Sequence, residues 1–240
     1  MAGNSSIEWT DKTWNPVRGC SLVSDGCRNC YAQTFAHRFS GAGRPYEGLT
    51  RLTSQGPRWT GKIMLVEKDL NKPLRWRKPS QIFVNSMSDL YHPDIPVDYY
   101  HRVVDVMARA HRHKFQVLTK RPEIMVQRTS THSIPEHVWM GTSVESADHV
   151  DRIDLLRQVA APVRFLSLEP LLSAMPTLDF TGISWVIVGG ESGPGARQMN
   201  PDWVRDIRDQ CVFAGVRFHF KQWGGLRKKT AGRMLDGRTW

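Results

Sequence analysis

Cys20, Cys27 and Cys30 place three of the chain's four thiols within eleven positions, with six residues inside the first gap and two inside the second. A two-residue gap lets neighbouring thiolates reach one metal centre, and the longer loop brings a third sulfur round to it. The residues from Tyr31 to about Phe39 read as a helix. Its N-terminal end would favour negative charge, and with it the thiolate forms. The first residues carry neither a basic region nor an apolar core of a leader, so a cytoplasmic chain is expected. In a reducing compartment, clustered thiols are metal-binding or catalytic more often than disulfide-bonded. Two occupants stand open. Structural zinc ordinarily takes four protein ligands, and His37, His92 and Cys211 supply no second ligand pair at a recognisable spacing. A 4Fe–4S cluster on three cysteines would leave one iron free for a substrate or cofactor. Cys211, within "IRDQCVFAG", reads as a small core residue.

A second set of candidates stands where apolar runs turn polar. "QIFVNSMSD" ends in Asn85, Ser86, Ser88 and Asp89, and "FQVLTKRP" in Thr119, Lys120 and Arg121. "HVWMGTSVES" gives Thr142, Ser143 and Glu145, and "VRFLSLEP" gives Ser167 and Glu169. "SWVIVGGESG" closes on Gly189, Gly190, Glu191 and Ser192, and "VRFHFKQWGG" on Lys221, Gln222 and Trp223. In a (β/α) barrel the active site lies at the C-terminal ends of the strands. These residues would therefore ring one mouth, on the face where the cysteine loop leaves the first strand. Asn85, Ser88, Lys120, Glu145, Glu169, Glu191 and Lys221 are the expected cofactor- or substrate-holding residues. "GGESGPGAR" (189–197) fits neither the dinucleotide fingerprint nor a Walker A loop, and reads as a close-approach turn.

Those positions require strands to carry them. Eight candidates occur: one within 7–19, then 61–67, 81–89, 115–122, 137–146, 163–170, 184–193 and 216–225. Helical stretches alternate with most of them. Tyr100, Val103, Val104, Met107 and His111 follow Pro96 at helical spacing; Ser146 is a candidate N-cap for a helix bearing Val150, Ile153, Leu156 and Val159. Asn200-Pro201 supplies an N-cap and a first-turn proline, and Gly215 ends that helix. Such alternation predicts parallel strands joined by crossover helices. The expected fold is α/β, a single closed or partial (β/α) barrel of the TIM type, with an open doubly wound sheet as the alternative. The barrel domain would span 1–225, with its cysteine loop at 20–30, followed by a basic, loose tail at 226–240.

Composition bounds the partners. Lys and Arg number 33 against 23 Asp and Glu, a net charge of +10, which suits a polyanionic partner such as nucleic acid or a nucleotide. Trp9, Trp14, Trp59 and Trp76 flank basic or polar residues, where aromatics could stack on bases. No apolar run approaches the roughly 20 residues of a membrane span. Metal-assisted hydrolysis lacks its histidine-rich ligand set. A non-catalytic nucleic-acid-binding or host-interaction protein with a structural zinc or Fe–S site stands beside the enzyme reading.

Three cysteines after the first strand of a (β/α) barrel resemble the radical S-adenosylmethionine (SAM) superfamily, and "CRNCYA" resembles the Cys-x-x-Cys-Tyr ending of members similar to spore photoproduct lyase. "IEWTDKTWNPVRGC", "GCRNCYA", "NSMSDL", "LTKRP", "GTSVES", "SLEPLL", "VGGESG" and "FKQWGG" together resemble a phage- and prophage-encoded family known by its three-cysteine motif. The superfamily resemblance implies a 4Fe–4S cluster on Cys20, Cys27 and Cys30 whose open iron chelates SAM. It also implies one-electron cleavage of SAM to methionine and a 5′-deoxyadenosyl radical, and an electron donor or partner protein to supply the electron. The superfamily's first gap is three residues where this chain has six. Its two-glycine-plus-acid motif follows the second strand, whereas Gly189-Gly190-Glu191 follows the seventh candidate here.

Overall fold

The computed structural model describes residue 5 and residues 7–240, with the side chains of 228 and 229 excepted. Residues 1–4 and 6, within the segment read as free of a leader, lie outside the described residues. Among the described residues no helix is long and apolar enough to cross a membrane.

Seven parallel strands form one sheet in sequence order: β1 (Lys12–Trp14), β2 (Gln81–Val84), β3 (Lys114–Thr119), β4 (Val138–Ser143), β5 (Arg164–Leu168), β6 (Trp185–Gly189) and β7 (Arg217–Gln222). The sheet is curled and open, because β1 and β7 are its two edges. The crossover helices are α1 (Tyr31–His37), α2 (Val97–Arg109), α3 (Pro122–Thr131), α4 (Asp151–Arg157) and α5 (Pro201–Phe213).

Strand alternation separates two faces. Ile82, Val84, Phe115, Val117, Val138, Met140, Leu166, Leu168, Val186 and Val188 belong to the large core under the helices. The opposite positions fill the concave side, where Phe83, Phe165 and Ile187 cluster with Trp9, Leu118, Trp139 and Trp185. The Trp9 ring lies 4.8 Å from Phe83 and 6.1 Å from Trp185. Gly141 leaves the room that the Phe165 ring occupies. Aromatic side chains thus plug the lower part of the half-barrel and leave its C-terminal mouth to polar groups.

The candidate strand at 61–67 is not part of this sheet. Met64–Leu65 pairs antiparallel with Val17–Arg18 as a two-residue ribbon beyond β1. Its apolar run is too short to specify which segment it pairs with, and the parallel sheet has seven strands instead of eight. Between α1 and that ribbon lies an antiparallel hairpin, Thr50–Thr53 with Gly56–Trp59, which the strand assignment lacked.

Asn200 caps α5 as its sequence position predicts, accepting the Asp202 N–H at 2.9 Å. Ser146 does not cap α4: it precedes a 3-10 turn at Ala147–His149 and makes no side-chain cap bond. The basic tail is folded back instead of loose. Leu235 is buried, Trp240 packs edge-on against Phe218, and Asp236 pairs with Arg205 and Arg208 of α5. Trp9, Trp14 and Trp59 are buried too, so these three tryptophans build core and offer no base-stacking faces.

Candidate metal centre at the barrel mouth

After β1 the chain runs through Val17 and Arg18 to Gly19, which bridges to Ser88 at the end of β2. Gly19 has φ +87°, and a Cβ there would strike the Lys62 carbonyl and sit 3.3 Å from the Leu49 side chain. This turn delivers Cys20 to the mouth. The following 3-10 turn, Asp25–Cys27, carries the second thiol, and Cys30 the third at the entrance to α1.

All three thiols are free and half-buried. Burial first, then the Asp89 charge, pushes Cys20 up to about 12, against the opposing pull of Arg121. Burial also raises Cys30, with the neighbouring Cys27 adding to it. Cys20 and Cys30 pack against the same small apolar cluster, and Cys27 lies in the turn between them, its carbonyl accepting the Cys30 N–H at 3.3 Å. Cations meet them from β3: Arg121 Nη1 donates to Cys20 Sγ at 3.8 Å. Lys120 keeps a raised pKa despite burial because Glu145 and Cys27 attract its proton.

Four buried or half-buried carboxylates around the mouth each have a cation. Asp89 pairs with Arg121 at 2.8 Å and accepts the Thr119 hydroxyl at 2.7 Å. Glu145 is fully buried and accepts from Ser24 Oγ at 2.7 Å, Lys120 Nζ at 2.8 Å and Arg152 Nη1 at 2.7 Å. Burial alone would raise its pKa, but the charges of Lys120 and Arg152 hold it at about 2. Glu191 accepts Asn29 Nδ2 at 2.9 Å and pairs with Arg197 at 2.6 Å. Glu169 accepts both of its short bonds, 2.6 and 2.8 Å, from Lys221 Nζ.

Lys120, Glu145, Glu169, Glu191 and Lys221 are thus at the mouth, where the strand ends were expected to bring them. Their roles divide. Glu145 and Glu191 are engaged in holding the cysteine loop, through Ser24 and Asn29. Gly26 shows how closely that loop lies on Glu145, since a Cβ there would fall 2.5 Å from Glu145 Cγ. Glu169 and Lys221 retain about a fifth of their side-chain surface. The Ser88 hydroxyl donates to the Val17 carbonyl at 2.8 Å and braces the turn. Asn85 has φ +59° and is buried, with neither side-chain amide atom bonded within the chain, an orphaned donor–acceptor pair of the kind a ligand satisfies.

Arg121, Arg152, Arg197, Asn29 and Ser24 complete the site without having been singled out as site residues. Arginines are frequent in this chain and carry no spacing signal, although Arg121 did stand in the polar run closing β3. His92 is not a free ligand: its Nδ1 accepts the Asp94 N–H at 3.2 Å and its Nε2 meets Ser21 Oγ at 2.8 Å. Cys211 is buried in the helical core, and that burial pushes its thiol up to about 12. In the 189–197 loop Gly190 packs flat against the Trp223 carbonyl, the close approach its glycines predict.

Among the described residues no three His, Cys, Asp or Glu side chains are gathered closely enough to cage a single ion. The donor set is three thiols on one loop with cations behind them, and Asn85 is left unsatisfied at the end of β2. Such a set fits a group that accepts three thiolates, spreads its charge over a wider body, and keeps one position for another ligand.

The curled seven-strand parallel sheet resembles the radical SAM fold of spore photoproduct lyase. A cysteine-to-serine mutant of that protein superposes with a TM-score of 0.53 at 11% identity, covering 92% of this chain and 79% of the other. For a cysteine-to-alanine mutant the TM-score is 0.50 at 11% identity, with 90% and 78% covered. A double mutant with bound AdoMet and dinucleoside spore photoproduct gives 0.47 at 12% identity, covering 86% of this chain and 62% of that one, so the chain spans less than two thirds of that structure's length. The first two likenesses show the fold. The chain belongs to the family described as protein of unknown function (DUF5131), whose profile matches residues 4–240. No curated protein matches it at a significant level.

Proposed function

We propose that this chain is an iron–sulfur enzyme of the radical SAM type acting on a nucleic acid or nucleotide. One observation carries the reading: three thiols on one loop, delivered by the turn after β1, stand with Lys120 and Arg121 at the mouth of a parallel half-barrel. Cys20, Cys27 and Cys30 would hold a 4Fe–4S cluster. When bound, such a cluster supplies the one-electron reductive cleavage of SAM, giving methionine and a 5′-deoxyadenosyl radical that removes a substrate hydrogen atom.

The chain's own residues bind, orient and exclude water. Arg121 and Lys120 offset the negative charge that three thiolates bring. Glu145 and Glu191 hold the cysteine loop at fixed places, and the aromatic plug closes the barrel below. Asn85, Glu169 and Lys221 are the groups left to meet the polar ends of SAM or substrate.

 Of these, Glu169 and Lys221 already form an ion pair at the open side of the mouth, ready to exchange that contact for a charged ligand group.

The test is reductive SAM cleavage. Anaerobically reconstituted protein, given dithionite and SAM, is expected to release 5′-deoxyadenosine, and the Cys20→Ala/Cys27→Ala/Cys30→Ala variant to release none. Equal, background-level release from both proteins would sink the proposal and leave the non-catalytic, metal-stabilised nucleic-acid-binding reading in its place.

A further inference from the structure

Beside the cysteine turn lies an open cleft of about 310 Å³ lined by Arg28, Asn29, Gln55, Arg58, Gly195 and Arg197. Its walls come from three separate segments: the Cys27–Cys30 turn, the Thr50–Trp59 hairpin, and the loop after β6. Gln33, almost fully buried, fixes two of them together. It donates to the Cys27 carbonyl at 2.7 Å and accepts the Trp59 N–H at 3.0 Å. Asn29 fixes the third by donating to the Gly195 carbonyl at 3.0 Å.

The charge in this cleft is not balanced from within. Among the described residues, no carboxylate lies within ion-pair distance of Arg28, Arg51 or Arg58. Arg197 alone has one, and Glu191, its buried partner, is shared with Asn29. Asp25, in the same turn as Arg28, is exposed and adds to the attraction on Arg197 without pairing with Arg28 or Arg58. Arg51 stands directly opposite Arg58 in the hairpin ladder, an arrangement that costs stability when no anion offsets it. Guanidinium groups bind phosphate oxygens in planar, two-pronged fashion. Phe35 of α1 and Phe39, just past its C-terminal end, are exposed as well, and their rings lie 5.2 Å apart. Exposed aromatic rings are surfaces on which the bases of a single strand stack.

We propose that this cleft is a phosphate-binding entrance that takes the backbone of a single nucleic-acid strand and leads it to the cysteine site. The inference rests on the proposed enzyme reading for its substrate class and names where that substrate would be held. A cleft of this size admits a nucleotide unit and not a duplex, which fits chemistry done on a base removed from its stack.

Anisotropy of a short, labelled single-stranded oligonucleotide tests this across a salt series. The Arg51→Ala/Arg58→Ala variant leaves the cysteine turn intact and is expected to bind about 10-fold more weakly. Its dependence of log affinity on log salt should fall by about 1.4 for two lost phosphate contacts on a single strand. Arg77→Ala/Lys78→Ala removes two exposed charges just before β2, at the opposite end of the barrel, and is expected to change neither value. Adding Arg28→Ala to the hairpin pair should weaken binding further. Equal weakening by both double variants would overturn the site, as would wild-type protein that binds no oligonucleotide. SAM cleavage in the same preparations separates the two claims. Cleavage without oligonucleotide binding removes this inference alone, whereas arginine-dependent binding without cleavage removes the enzyme reading alone.

Discussion

At the residue scale the mouth is governed by carboxylate–cation pairs that burial makes consequential. Arg121 joins Asp89, Ser21 and Cys20, and removing it leaves the buried Asp89 charge without its cation. Breaking such a pair typically costs about 3–5 kcal/mol. Arg121→Ala is therefore expected to lower stability by about that amount in urea denaturation, and Arg121→Lys to restore part of it. Glu145 gives a pH signature. Its carboxyl is held at about 2 in the folded chain against about 4.3 when unfolded. The unfolded chain then binds more protons between those values, so this stabilisation is fully present above the unfolded pKa and is lost as pH falls toward 2. The whole shift corresponds to roughly 3 kcal/mol. Denaturation across about pH 2–5, which spans the two values, should show a steep acid loss in the wild type and a shallower one in Glu145→Gln.

At the scale of elements, the cysteine loop is positioned by space as much as by bonds. Gly26→Ala would drive a methyl into Glu145 and is expected to displace the loop. Bound iron should fall severalfold while the far-ultraviolet circular dichroism stays that of the wild type. Gly41→Ala is the control, since a Cβ there meets nothing nearer than 3.8 Å and should leave iron content unchanged. The loop was legible from its cysteines and the polar strand ends from their alternation, because both are local patterns. The hairpin was not. Its exposed Arg51, Leu52 and Gln55 give no apolar alternation, and it is held by Gln33, which accepts the N–H of Trp59, 26 positions further along the chain. Pairing was also illegible: Lys120 and Glu145 were both expected to meet a ligand, and the structure joins them to each other.

At the scale of the whole molecule, seven sequential parallel strands curl without closing, and other segments brace the open edge. Glu8, ahead of β1, pairs with Arg233 of the tail at 2.7 Å, while Leu235 and Trp240 pack into the core around β7 and α5. Leu235→Ala is expected to cost about 2–5 kcal/mol, measured as a lower urea midpoint with an unchanged slope. The tail's basic composition concealed this role, because its buried anchors are single residues among exposed charges. The barrel itself could be read because each strand buries one face against helices and the other in the concave plug. The apolar run at 61–67 carried the same signature over too short a length to reveal its antiparallel partner.

What the three cysteines hold decides between an iron–sulfur enzyme and a zinc-stabilised binding protein. The most direct measurement is iron, acid-labile sulfide and zinc per chain after anaerobic purification, for the wild type and for each single Cys→Ala variant at 20, 27 and 30. A cluster on these cysteines gives about four irons and four sulfides per chain, depleted in every variant. One zinc per chain with no sulfide would contradict it.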